Sequence, residues 1–155
     1  MKKLKSIAIG VLLALCYLNS SSQENIPLNE GNYNKPQLFS DLPDRMSLNI
    51  SSLQNLFTLS RGESIKQQLS EDFILKGVVV SKSEATAYSP VTTVVIRCTS
   101  RPGAVFTFTR VVGQDESITY RGRILSRNNS DALDIVKINN QYFFQKKNYN
   151  DIISE

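Results

Sequence analysis

Six stretches rich in β-branched and aromatic residues follow one another between Phe73 and Lys147, and no join between them is long enough to hold a crossover helix. They read "FILKGVVVSKS", "VTTVVIRCT", "AVFTFTRVV", "SITYRGRIL", "LDIVKI" and "QYFFQKK". Such residues suit a pleated, half-buried surface. The later joins are turn chemistry: Pro102-Gly103, "GQDE" at 113–116, "RNNSD" at 127–131, and Asn139-Asn140. Asparagine tolerates positive φ, so the last pair suits a two-residue hairpin. Parallel neighbours need a connection of a dozen residues or more, so these strands must run antiparallel, as a meander. That excludes the parallel sheets whose strand ends hold nucleotides.

The stretch "SRPGAVFTFTR" (100–110) poses a register problem. Phe106, Phe108, Arg110 and Val112 share one side of their strand, and Val105, Thr107, Thr109 and Val111 the other. A three-residue loop before it sets Val94, Ile96 and Cys98 on the phenylalanine side; a four-residue loop exchanges them, because a slip of one residue flips every side chain. Apolar pattern favours the shorter loop. Proline is awkward as the second central residue of the type I turn such loops contain, which favours the longer one.

Ahead of the strands, Leu53, Leu56 and Phe57 follow helical spacing with Ser51 or Ser52 as a cap. Gly62 interrupts, "SRGE" (60–63) has capping-box spacing, and Ile65 and Leu69 stand one helical turn apart. Two short helices, or one bent near Gly62, are expected. Neither is stable alone, so their apolar stripe must dock on the sheet. The expected fold is therefore α+β: short N-terminal helices packed on one face of a curved antiparallel meander of five to six strands. Cystatin-like folds have this shape, and a small open barrel is the other candidate. Residues 47–155, about 110 in all, suffice for one core and not for two. Residues 23–46 carry Pro27, Pro36 and Pro43 among polar neighbours and are expected to form an extended Pro/Asn-rich arm, with Leu38, Phe39 and Leu42 pinning its end.

Residues 1–22 read as an export signal: Lys2, Lys3 and Lys5, then the apolar run "IAIGVLLALCYL", then small polar residues with Ser20 and Ser22 placed for cleavage before Gln23. The run is short for a bilayer span. "LALC" (13–16) offers a rival, lipidation at Cys16, although Leu15 is larger than that pattern prefers. The protein is thus expected to be periplasmic or secreted, and membrane-bound only if Cys16 is lipidated. Loss of the three signal lysines lowers the formal charge from +4 to +1, so the basic balance is no argument for nucleic acid. Cys98 is then the one remaining cysteine, which leaves no internal disulfide. The chain has no histidine, so it lacks the commonest general base, the commonest metal ligand and every Ser-His or Cys-His pair.

Candidate functional residues lie on the strands. "YRGR" (120–123) sets Arg121 and Arg123 on one face beside Tyr120, Arg127 follows in phase, and Arg97 and Arg110 stand on neighbouring strands. Planar guanidinium forks suit carboxylate and phosphate. The bland account is a solvated face guarded by charge. Cys98 reads as a small core residue. Asp131 and Asp134 are a candidate carboxylate pair for glycoside cleavage, against which "NNSD" reads as turn chemistry. Tyr142, Phe143 and Phe144 point to both faces of the last strand, as core or as an aromatic contact. No P-loop, GxGxxG, GxSxG or metal-ligand spacing occurs.

The segments "SLQNLFTLSRGESI", "GVVVS", "TVVIRCTSRPGA", "YRGRILS" and "YFFQKKNYNDIISE" resemble one group of small exported bacterial proteins of unknown function, over most of the chain from Ser52. The resemblance implies a shared fold and export, and assigns no catalytic residue and no cofactor. The expected role is a non-catalytic binding or accessory module of the bacterial envelope. It would hold a protein or anionic envelope component through its arginine-bearing sheet face, with no nucleic-acid partner. The alternatives are a carboxylate-dependent glycan hydrolase and a lipid-tethered structural subunit.

Overall fold

The computed structural model describes residues 34–153. The export signal, the cleavage site, Cys16 and the first part of the proline-rich arm lie outside the described residues. In chain order the elements are β1 (Arg45–Ser47), α1 (Ile50–Asn55), a 3-10 turn (Leu56–Thr58), β2 (Ser64–Ser70), β3 (Phe73–Ser83), β4 (Val91–Cys98), β5 (Val105–Val112), β6 (Ile118–Leu125), β7 (Asp131–Ile138), β8 (Gln141–Asn148) and α2 (Tyr149–Ile153).

The strands form one antiparallel sheet of order β1-β8-β7-β6-β5-β4-β3-β2, curled into a half-barrel. This corrects the α+β expectation in two places. The strands number eight, not five or six, and a single six-residue helix with a 3-10 turn stands where two helices were expected. Ser60–Glu63 has half of its capping box, since Ser60 N–H donates to the Glu63 carboxylate at 2.8 Å, but no helix follows it. Glu63 N–H returns to Ser60 O at 3.1 Å and Gly62 sits at φ +88°, which makes a tight turn. The chain leaves that turn as β2 and pairs with β3. Ile65 and Leu69 lie on one face either way, because four residues are two strand periods as well as one helical turn.

The other added strand, β1, pairs with β8 through Arg45↔Gln145, Met46↔Phe144 and Ser47↔Phe143. Immediately after it, Leu48 N–H donates to Tyr142 O on β8 at 3.0 Å, and Asn49 N–H donates to Leu69 O on β2 at 2.8 Å. The segment just after β1 thus reaches β2 through one backbone hydrogen bond. Asn49 then caps α1, its side-chain oxygen accepting Ser52 N–H at 3.0 Å. The helix and the 3-10 turn after it lie across the inner face with Leu53 and Leu56 fully buried, and Phe57 stacks on Phe108 at 4.8 Å between ring centroids. Val79, Val94, Ile96, Phe106, Ile124 and Phe144 complete the core from the sheet.

The β4–β5 register follows the apolar pattern: Val94↔Phe108 and Ile96↔Phe106. The objection from proline dissolves because Pro102 is the first central residue of its turn. Ala104 N–H closes on Arg101 O at 3.0 Å, with Gly103 at φ +81° in the second central place, the positions a type II turn wants. Asn139 and Asn140, both at positive φ, make the two-residue hairpin between β7 and β8.

The described part of the expected arm is docked on the sheet. Asp131 takes the backbone N–H groups of Leu38 and Phe39 on its two carboxylate oxygens. Arg101 grips Asp41 with a two-pronged contact at 2.6 and 2.8 Å, and Lys146 Nζ donates to Leu42 O at 2.6 Å. Phe39 and Leu42 are buried beneath these contacts. No helix among the described residues is long and apolar enough to cross a membrane.

Candidate functional site

The six residues singled out in the sequence fall in three places. Arg97, Arg121 and Arg123 stand on the outer face of β4 and β6. Arg110 and Tyr120 face inward with the phenylalanines, and Arg127 lies exposed in the turn after β6. They do not form one surface. Side chains opposite one another in a sheet share a face, so pairing decides their company. Arg121 opposes Thr109, which opposes Thr93, and the two threonine hydroxyls are 3.1 Å apart. Arg123 lies in a row that runs Thr107–Arg123–Asp134–Gln145–Arg45 across five strands. Arg97 opposes Val105, one row away.

On this outer face a groove of about 470 Å³ opens over β5, β6 and β7. Val105 and Leu125 give it an apolar floor, and Thr107, Thr109, Arg121 and Arg123 line it with donors. The groove lies where the sheet splays. β6 matches β5 at eight positions and β7 at three, Arg123↔Asp134, Ile124↔Leu133 and Leu125↔Ala132, so the first half of β6 parts from β7. On the inner side, Tyr120 N–H finds the Tyr142 hydroxyl at 3.2 Å in place of a strand.

The two guanidiniums differ in freedom. Arg123 is half-buried and donates to Ile152 O at 3.3 Å, which ties it to α2. Its neighbour Asp134 is held by Lys147 at 3.1 Å. Arg121 is exposed and has no carboxylate partner among the described residues. The groove thus offers one tethered and one exposed cation beside small hydroxyls.

The carboxylate pair considered for glycoside cleavage does not converge. Asp131 is buried, with both oxygens taken by backbone N–H groups. It lines a separate cavity of about 370 Å³ beside Lys146, while Asp134 lines the outer groove. A third cavity of about 570 Å³ follows the seam between β1 and the β2–β3 turn. Cys98 is buried on the inner face, and that burial pushes its thiol up to about 11, the reverse of an activated nucleophile. Among the described residues no three His, Cys, Asp or Glu side chains are grouped to hold a metal ion.

Sequence reasoning missed Thr107 and Thr109 as groove residues. Their alternation was visible, but their place beside Arg123 and Arg121 depends on strand pairing. Compared with protein-family models, curated proteins and solved structures, the chain matches none.

Proposed function

We propose that this protein is a non-catalytic binding or accessory module of the bacterial envelope, which receives an anionic group of a protein or envelope component in the outer groove. The observation that carries this reading is the pair Arg121 and Arg123, side by side on β6 at the edge of a groove of about 470 Å³ lined by Thr107 and Thr109. A planar guanidinium offers two parallel donors to a carboxylate or phosphate, and hydroxyls complete the shell. The apolar floor suits the uncharged part of the same ligand. Arg97 adds positive field from one row away. Export rests on the lysine-led signal at the N-terminus and on the resemblance to small exported proteins.

The exported form, immobilised and exposed to envelope extract, should retain a partner that the Arg121→Glu/Arg123→Glu variant releases. Retention of the same partners by that variant, with its fold intact by circular dichroism, would remove the groove from the account.

A further inference from the structure

The outer groove holds a carboxylate as well as two arginines, and that carboxylate narrows the ligand. Asp134 lines the groove together with Arg121, Arg123, Thr107 and Thr109. The five side chains share the outer face in two rows. Thr107, Arg123 and Asp134 are directly opposed on β5, β6 and β7, and Thr109 opposes Arg121 two residues along the same strands. Neighbours within such a row stand about 5 Å apart at Cα, and the two rows are about 7 Å apart. The set therefore occupies one patch of the size of a single ring-shaped ligand unit.

Most of the hydrogen-bonding capacity of this patch is unspent. Arg121 has no partner among the described residues, and Arg123 uses one nitrogen on Ile152 O. Arg123 and Asp134 are opposed in the sheet, yet the ion pair of Asp134 is with Lys147, whose Nζ lies 3.1 Å from Oδ2. Asp134 Oδ1 has no partner among the described residues, and neither has the Thr107 hydroxyl. An ionised acceptor beside guanidiniums repels a second negative group and calls for a neutral donor. A compact dianion such as a phosphate ester would leave Oδ1 unpaired and facing negative charge. An extended peptide is a poor match too, since sheets take such peptides through free backbone edges, whereas the groups here are side chains on a sheet face. Val105, Leu125 and Ile135 add apolar surface to the same groove.

Resting on the anion-binding reading of this groove, we propose that its ligand is an acidic glycan, a chain of sugar units that carry one carboxylate each beside free hydroxyls. Arg121 takes the carboxylate with its planar fork. Asp134 Oδ1 accepts from a ring hydroxyl, and Arg123 and Thr107 donate to the oxygens next to it. The C–H face of the ring lies on Val105 and Leu125. Sugar hydroxyls both donate and accept, so one ligand satisfies the arginines, the threonine and the aspartate together.

The exported form labelled with ¹⁵N is titrated at constant ionic strength with a galacturonic acid trimer, following the Thr107 and Thr109 amide resonances. A neutral glucose trimer, inorganic phosphate and a glutamate tripeptide are the comparison ligands. The uronate trimer should give the tightest saturable shift, and the neutral trimer none. Arg121→Gln and Asp134→Asn each remove one charge-assisted bond and should weaken the uronate midpoint about 10-fold. Asp134→Asn should at the same time tighten phosphate, because it removes a repelling charge. Lys66→Gln, on β2, should leave the uronate midpoint unchanged, and circular dichroism checks the fold of every variant. Saturation with phosphate or the glutamate peptide, and not with the uronate trimer, overturns the glycan assignment and keeps the groove as an anion site. Saturation with none of them overturns the assignment as well, and capture from envelope extract then decides separately whether the groove binds a partner. A uronate midpoint that Asp134→Asn leaves unchanged, or that the neutral trimer matches, also overturns the proposal.

Discussion

Phe39 donates its backbone N–H to Oδ2 of Asp131 at 2.9 Å, across 92 residues of sequence. Leu38 donates to the other oxygen, so a single carboxylate closes the start of the described chain onto β7. The position is buried, and its deletion strands two N–H groups away from water. Asp131→Ala should lower unfolding free energy by about 2–5 kcal/mol, from two lost charge-assisted bonds and two unsatisfied donors. Urea denaturation read by circular dichroism checks this. A loss under 1 kcal/mol would mean the segment near Phe39 is not anchored there.

Leu53 is the helix's deepest contact with the sheet, fully buried among the core side chains. Leu53→Ala should cost about 2–5 kcal/mol, the range for cavities that a rigid surround cannot close. Asn55→Ala, exposed at the end of the same helix, should cost much less. Equal losses at the two positions would contradict a helix packed across the inner face.

Cys98 gives a chemical probe of the same interior. Its thiol is pushed up to about 11 by burial, from an ordinary value of 9.0. At pH 8 the thiolate fraction is then about 100-fold below that of an exposed cysteine, before access is considered. In a Cys16→Ser background, an aromatic disulfide reagent should react with native protein at least 100-fold more slowly than with urea-unfolded protein. Comparable rates would place Cys98 at the surface.

Asp41 supplies a pH dependence. Its side-chain bond to Arg101 is the largest cause holding its carboxyl below the ordinary value of 3.8. A group with a depressed folded value stabilises the native state above its unfolded value, and that contribution fades as pH falls through the folded value. The Arg101–Asp41 contact should therefore show as a loss of stability below about pH 4, where carboxyls begin to protonate. Thermal melts of Asp41→Asn should lose less between pH 5 and pH 3 than those of the parent. The effect is small, since Asp41 is largely exposed and water screens the pair. Identical pH slopes for the two proteins would show that the contact does not form in solution.

Much of the sheet was readable residue by residue. β3 to β8 sit where β-branched runs and turn residues mark them, and the Asn139-Asn140 hairpin follows from local backbone preference. The β4–β5 register followed from keeping Val94 and Ile96 with Phe106 and Phe108. Ser64–Ser70 misled because Ile65 and Leu69 fit helix and strand equally, and only the unpaired side of β3 decides between them. Arg45–Ser47 has no strand signature of its own; β8 makes it a strand. For the candidate site, Arg121 and Arg123 were legible as one face of β6, whereas the groove beside them needed the parting of β6 from β7.

Local pattern settled what adjacent residues can settle: where the chain extends, where it turns, and that neighbouring strands run in opposite directions. These depend on φ preference and on side chains two positions apart. The folded molecule alone determined that eight strands curl until Asn49 meets Leu69, and that Asp131 captures a segment 92 residues away. Each of those outcomes is a contact between parts distant in the chain, and its free energy exists only once both parts are in place.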